Sequence, residues 1–304
     1  MHPVDIIPAP TSTPAAHGLV ETATPSPADG VDVRWELGFQ FVPETCHEPE
    51  SWAIPCVGTD TGGPGDTVTE NRGDGSDVLT WTPFYIRSPF TCTTQQFRSL
   101  NFEQRARTIF ALGESKLIET ELWKGEAAGW SKQQADPSLT FANLTLAQAG
   151  VTDLSGGGGA ASPVVAIRSL IQAAAGAPGG PMAMLHATPA VVTAWMQSGA
   201  LTETRDGKLI TKVGKHLVVS GTGYSGEGPG VVDPGANESW AYVTTPIYVL
   251  RGPTIEVLWD GVSMSQIMNR PDNDVTVIVQ RSAAYYWDGC LHAGIPVDET
   301  GASI

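Results

Sequence analysis

The sequence predicts a mixed α+β protein with few helices and long strands. Two stretches and one compositional feature carry that expectation. Residues 101–125, NFEQRARTIFALGESKLIETELWKG, place Phe102, Ala106, Ile109, Phe110, Gly113 and Leu117 at steps of three and four, the spacing of one helical face. Residues 274–287, DVTVIVQRSAAYYW, alternate Val275, Val277 and Val279 with Thr276, Ile278 and Gln280, the period of a strand. Gly (34) and Pro (23) together make about 19% of the 304 residues, which implies many turns and extended arms.

The remaining elements follow in chain order. Residues 1–30 are rich in Pro, Ala and Thr, with little apolar content beyond Val4, Ile6, Ile7, Leu19 and Val20. Such a stretch cannot build a core and reads as an extended arm that needs a partner surface. Val33, Trp35, Leu37, Phe39 and Phe41 then alternate with polar residues or Gly, as in a strand with one apolar face. Residues 58–77 are almost all turn formers and acids. Between Ile54–Val57 and Val78–Trp81 they resemble the tip of a long two-stranded excursion, too poor in apolar residues to stand alone.

The helix over 101–125 starts at a capping box of Asn101 and Gln104 and stops at Gly125 after Lys124. At about 1.5 Å per residue it spans roughly 36 Å. A polar passage (126–150) and the Gly156–Gly159 run lead to a second helix over 164–175, opened by Ser162 and Pro163. A third helix starts at Thr188-Pro189 and ends at Gly199. Short strands are expected at 182–186, 209–210 and 217–219, then a long Gly/Pro/acid loop over 221–238. Strands at 240–243, 247–250 and 254–259 precede the long final one. No repeat recurs at a fixed period.

Charge narrows the function. The net charge is −15, and residues 1–100 hold 13 acids against 4 Lys/Arg. Residues 101–135, around the long helix, are balanced at 5 against 5. No basic patch of the kind that grips DNA is present. No apolar run approaches the ~18 residues of a membrane helix, and the first residues carry no secretory pattern. Cys46, Cys56, Cys92 and Cys290 are widely spaced without a CxxC pair, which reads as free thiols.

No chemical motif in the sequence is complete. Gly207-Lys208 and Gly214-Lys215 lack the rest of a phosphate loop, and Gly156–Gly159 is not GxGxxG. Gly223-Tyr224-Ser225-Gly226-Glu227 has Glu227 where a nucleophile elbow needs Gly, and reads as a flexible surface loop. Cys46, His47 and Cys56 lack a fourth metal ligand. His186, His216 and His292 are isolated and read as structural. Glu119 and Glu121, two apart, point to different helix faces, and Asp272 and Asp274 flank a turn. No cofactor or metal is expected, and no catalysis. Arms, a long hairpin and no site suggest a protein whose work is self-association.

The order of these parts resembles the major capsid proteins of tailed double-stranded-DNA phages. It consists of an N-arm, a Gly/Asp-rich hairpin, a long helix ending in Glu121-Leu122-Trp123-Lys124-Gly125, a Gly-rich middle, then paired strands and a long last strand. The resemblance covers essentially the whole chain. It implies the Hong Kong ninety-seven coat fold, which encapsulins share. Residues 1–50 would be the N-terminal arm and 51–90 the extended loop. Residues 91–134 and 245–304 would form the peripheral domain, with 101–125 as its spine helix, and 135–244 the axial domain. Trp52, Trp81, Phe84, Tyr85, Phe90, Arg105 and Lys116 would be the intersubunit contacts.

The resemblance further implies homo-hexamers and pentamers in a phage head assembled in the bacterial host cytoplasm. Portal, scaffolding or decoration proteins would be partners, with non-specific contact to packaged double-stranded DNA. Residues 1–115 contain no Lys, so the isopeptide crosslink of some relatives, from a loop Lys to a neighbour's Asn, is not available. The competing readings are an encapsulin-type compartment, against which the Pro-rich start speaks, and a soluble enzyme of unrecognised class. Deleting residues 59–76 should leave a folded subunit that does not build shells. Particles of normal yield and stability from that variant would contradict the loop assignment.

Overall fold

The computed structural model describes residues 17–25, 39–41, 79–93, 102–125, 143–177, 180–258, 268–269 and 274–300. The expectations for 1–16, the tip of the 58–77 hairpin, Cys46, His47, Cys56, Trp52, Asn101, the polar passage over 126–142 and Asp272 lie outside them.

One strand organises the first sheet. β14 (Asp274–Tyr286) runs antiparallel to β4 (Phe84–Thr93) along ten consecutive pairs, from Asp274↔Thr93 to Ala283↔Phe84. Its other side pairs in turn with β11 (Tyr248–Arg251), β12 (Ile255–Leu258) and β13 (Met268–Asn269). β1 (Thr24–Pro25) adds a parallel strand outside β11. Period-two alternation decides what β14 shows to each face. Val277, Val279, Ala283, Tyr285 and Trp287 all join one buried cluster, and Arg281 falls in phase with them. Ile278, Ser282 and Ala284 are buried on the opposite phase.

The second sheet has seven strands in the order β5 (Thr152–Asp153), β15 (His292–Asp298), β10 (Glu238–Thr244), β6 (Met184–Ala187), β9 (Leu217–Ser220), β8 (Leu209–Thr211) and β7 (Leu201–Glu203). One row of partners crosses it whole: Thr152, Ala293, Val243, Leu185, Val218, Leu209 and Glu203. The five inner members of that row pack on α3 (Pro163–Ala175) and α4 (Pro189–Gln197). Both helices open as the sequence predicts. Ser162 and Thr188 accept from the N–H groups of Val165 and Val191, with Pro in the first turn. The alternate residues Met184, Val219 and Tyr242 face the other way, into the cluster that contains β14.

The spine lies between the sheets. α2 (Phe102–Lys124) packs on β14 and β4, and its last turn brings Leu122 and Trp123 to the inner face of the seven-stranded sheet. α1 (Leu19–Thr22) docks on α2 and β9, where Leu19 is fully buried. The fragments β2 (Phe39–Phe41) and β3 (Leu79–Trp81) pair with each other. None of the described helices is long and apolar enough to cross a membrane.

Three expectations need correction. Residues 292–298 form a full strand that composition hides, because Gly294 and Pro296 are poor strand formers. Gly294 is required there, since a Cβ would stand 2.6 Å from the Tyr242 ring. Residues 221–228 are not a flexible surface loop: Gly221, Gly223, Tyr224, Gly226, Glu227 and Gly228 are buried. Cys290 is not a free thiol but half of a disulfide whose other cysteine side chain lies outside the described residues. Spacing alone cannot reveal a bond between residues so distant in sequence.

Candidate assembly interface

The spine helix has one narrow buried edge. Ala106, Phe110, Glu114, Ile118 and Leu122 recur at steps of four and face the core. Ile109, Leu112 and Leu117 are 43%, 39% and 47% exposed, so the apolar face expected through Ile109, Gly113 and Leu117 is displaced. The reason is electrostatic. Glu114, in the middle of the buried edge, meets Arg281 Nη1 at 2.6 Å and Arg251 Nε at 3.0 Å, both from the first sheet. Arg281 also donates to Thr254 Oγ1 and stands 6.0 Å above the Phe110 ring. A buried carboxylate held by two guanidiniums sets the rotation of the helix more strongly than the burial of one Leu.

One turn later stands a second buried acid. Glu119 is fully buried. Its Oε1 accepts from Leu19 N–H at 2.8 Å and Ser115 Oγ at 3.2 Å. Its Oε2 accepts from Gly223 N–H at 2.9 Å and Thr222 Oγ1 at 3.2 Å. Gly223 lies so close to the helix that a Cβ would stand 2.2 Å from the Lys116 carbonyl oxygen. Glu121, two residues on, is also buried. Their spacing of two was noticed but their burial was not expected, because charged residues on a helix ordinarily mark the solvent side.

Lys124 closes the spine by an ion pair of 2.5 Å with Glu227. Burial works to raise the Glu227 pKa. The hydrogen bonds from Lys124 and Ser225 and the Lys124 charge outweigh it and hold the carboxyl below its ordinary value.

An aromatic wall joins the two sheets. Trp81 lies 5.2 Å from Trp287 and 5.7 Å from Tyr285, and Trp123 lies 4.7 Å from Tyr224 and 5.1 Å from Tyr242. Burial, and then the Glu119 and Glu121 charges respectively, push the Tyr224 and Tyr285 phenols well above their ordinary value.

Inside the wall is a neutral histidine. Thr244 Oγ1 donates to the Thr245 carbonyl, so it accepts from His186 Nε2–H at 3.0 Å. His186 Nδ1 therefore accepts from the Tyr224 hydroxyl at 3.0 Å. Burial, then the neighbouring His292, lower the His186 pKa to about 3. His292 is lowered to about 4 by burial, against the hydrogen bond it donates to the Leu146 carbonyl. His216 is buried as well, and burial lowers its pKa.

The residues expected to touch neighbours divide. Trp81 and Phe84 are 1% and 3% exposed and serve the subunit's own core. Phe90 is half-buried. Tyr85 is 57% exposed, beside Leu117, where β4 and α2 frame a recess of about 260 Å³. Arg105 and Lys116 are exposed on α2. No group of three or more His, Cys, Asp or Glu able to hold a metal exists among the described residues.

Comparison with known proteins separates sequence from fold. No family model matches the chain, and no curated protein does. Solved structures do. The chain is similar to the capsid of the empty GTA particle, with a TM-score of 0.53 at 12% identity over 97% of this chain and 95% of that one. The capsid of the native GTA particle gives 0.52 at 10% identity, covering 97% and 96%. The chain is Hong Kong ninety-seven-like in fold. A structure titled Mycobacterium phage Bobi agrees, with a TM-score of 0.50 at 10% identity and coverage of 97% and 93%.

The neutral histidine makes stability depend on pH. The unfolded chain binds a proton at residue 186 below an ordinary pKa of 6.5, whereas the folded chain resists until about 3. This contribution is intact above 6.5 and lost as pH falls from there towards 3. His186 should account for about 2 kcal/mol of lost stability between pH 7 and pH 5. Urea unfolding at the two pH values should show His186→Gln losing less than wild type by that amount. Equal losses would contradict the buried neutral assignment.

Proposed function

We propose that the chain is the major capsid subunit of a tailed phage or phage-like particle, assembling as hexamers and pentamers into an icosahedral shell around double-stranded DNA. One observation carries the reading. Capsid chains align with this one over nearly the full length of both partners.

The geometry supports the reading. The spine is built to be rigid, with Glu114, Glu119 and Lys124 each tied to an element distant in sequence. Its outer side keeps apolar and cationic residues in solvent, namely Ile109, Leu112, Leu117 and Lys116, with Tyr85 beside them. In a shell these would be covered by a neighbour, together with Arg105. Large obligate contacts of that kind commonly exceed about 2,000 Å². An acidic chain would let packaged DNA move rather than adhere. The role needs no catalysis. Portal and scaffolding or decoration proteins belong to the same reading.

Electron microscopy and sedimentation of the purified full chain test it. Closed icosahedral shells, filled with DNA when taken from an infected or induced host, are the expected result. A monomer of about 32 kDa at every concentration, or shells filled with a protein cargo, would overturn it.

A further inference from the structure

The two edges of the seven-stranded sheet carry opposite charge. At one edge, residues 199–216 around β7 and β8 hold Arg205, Lys208, Lys212 and Lys215 against Glu203 and Asp206. This is a positive stretch in a chain of net charge −15. Three of the four cations are exposed and Lys208 is half-buried. None of the four makes an ion pair with a described residue. α4, which covers this half of the sheet, has no charged residue.

The other half is the reverse. The segments 143–162, 226–244 and 291–300 that build β5, β15 and β10 contain no Lys or Arg. They supply Asp153 on the edge strand itself, where it accepts from Ser155, with Asp298 on the next strand and Glu238 opposite it on β10, near the end of the sheet where Arg205 and Lys208 also lie. Glu227 is already taken by Lys124, and Glu299 accepts from Ser239. Arg168, on α3, is the one cation of the helix covering that half.

These charges cannot neutralise each other within one subunit. At about 4.8 Å between strands, β5 with Asp153 lies roughly 29 Å from β7 and β10 with Glu238 roughly 19 Å, against a screening length of about 8 Å at physiological salt. Nor are the edges suited to strand addition. β5 has two residues and β7 has three, too short to template a neighbour's backbone. Side-chain charge is what each edge offers.

We propose that the basic edge of one copy docks on the acidic edge of the next, giving a head-to-tail contact that closes into a ring. This rests on the coat-subunit reading and names the surface within it. Opposite edges of one sheet form a heterologous pair, and a heterologous pair repeated by rotation makes cyclic assemblies rather than two-fold dimers. Like edges repel, which selects the orientation.

The test uses the full-length chain in three forms: Arg205→Glu with Lys208→Glu, Asp153→Lys with Glu238→Lys, and all four together. Circular dichroism melts establish that each is folded. The assembled fraction is then followed by sedimentation and negative-stain microscopy across protein and NaCl concentrations. The two-residue reversals should each raise the concentration needed for assembly about tenfold. The four-residue form should recover assembly, the equimolar mixture should recover even-membered rings only, and wild type should weaken as NaCl rises.

If wild type forms shells and the folded reversals assemble equally well, the edge contact is overturned while the coat reading stands. Loss of nucleic-acid retention with unchanged assembly overturns it too, since the basic edge would then face DNA. Wild type that never assembles overturns the coat reading itself. A reversal that does not fold is replaced by the salt titration of wild type, where salt-independent assembly contradicts the proposal.

Discussion

The structure depends on two carboxylates buried along one helix. Burying an acid is costly unless every lone pair is used. Glu114 answers with two guanidiniums from the first sheet. Glu119 answers with four donors from α1, its own helix and the loop over 221–226. Between them they fix the rotation of α2 and the position of everything that rests on it. An apolar helix of the same length would bury more surface but would leave its rotation and axial position less defined.

From that spine the two sheets follow. β14 lies under α2 because its odd-numbered residues form an apolar row interrupted by Arg281, and Arg281 is placed to meet Glu114. The seven-stranded sheet is held on the other side by Trp123, Tyr224 and Tyr242. Indole N–H groups of Trp81, Trp123 and Trp287 stay unpaired inside this wall. Their large apolar area outweighs a penalty of about 1–3 kcal/mol for each. The outcome is two sheets joined through one helix, with buried polar groups that position the elements against each other.

Much of the fold was legible in the residues, and what was missed has physical causes. The long helix, the long strand β14 and the two Pro-opened helices were readable because their periodicity and caps are local. The face of α2 was not, since Glu114 and Glu119 look like solvent residues until their partners 100 to 170 positions away are known. β15 was hidden because Gly294 and Pro296 are poor strand formers, and Gly294 is there to leave a bare Cα under the Tyr242 ring of the strand beside it. The Gly223-Tyr224-Ser225-Gly226 loop looked mobile for a similar reason. Gly223 allows close approach to α2 and Gly226 to Ser239 of β10, rather than freedom. Of the expected contact residues, Tyr85, Arg105 and Lys116 are available on the surface, whereas Trp81 and Phe84 were absorbed by the core. Large aromatics announce burial, not which surface buries them.

If the Glu119 carboxylate is what holds α1 and the 221–228 loop on the spine, backbone hydrogen exchange will show it directly. In Glu119→Gln, amides over 17–23 and 221–228 should exchange at least tenfold faster than in wild type, because an amide group cannot accept all four hydrogen bonds. Amides of β14 should keep their protection. Unchanged exchange in both segments would contradict the account, and so would a uniform loss of protection across the whole chain.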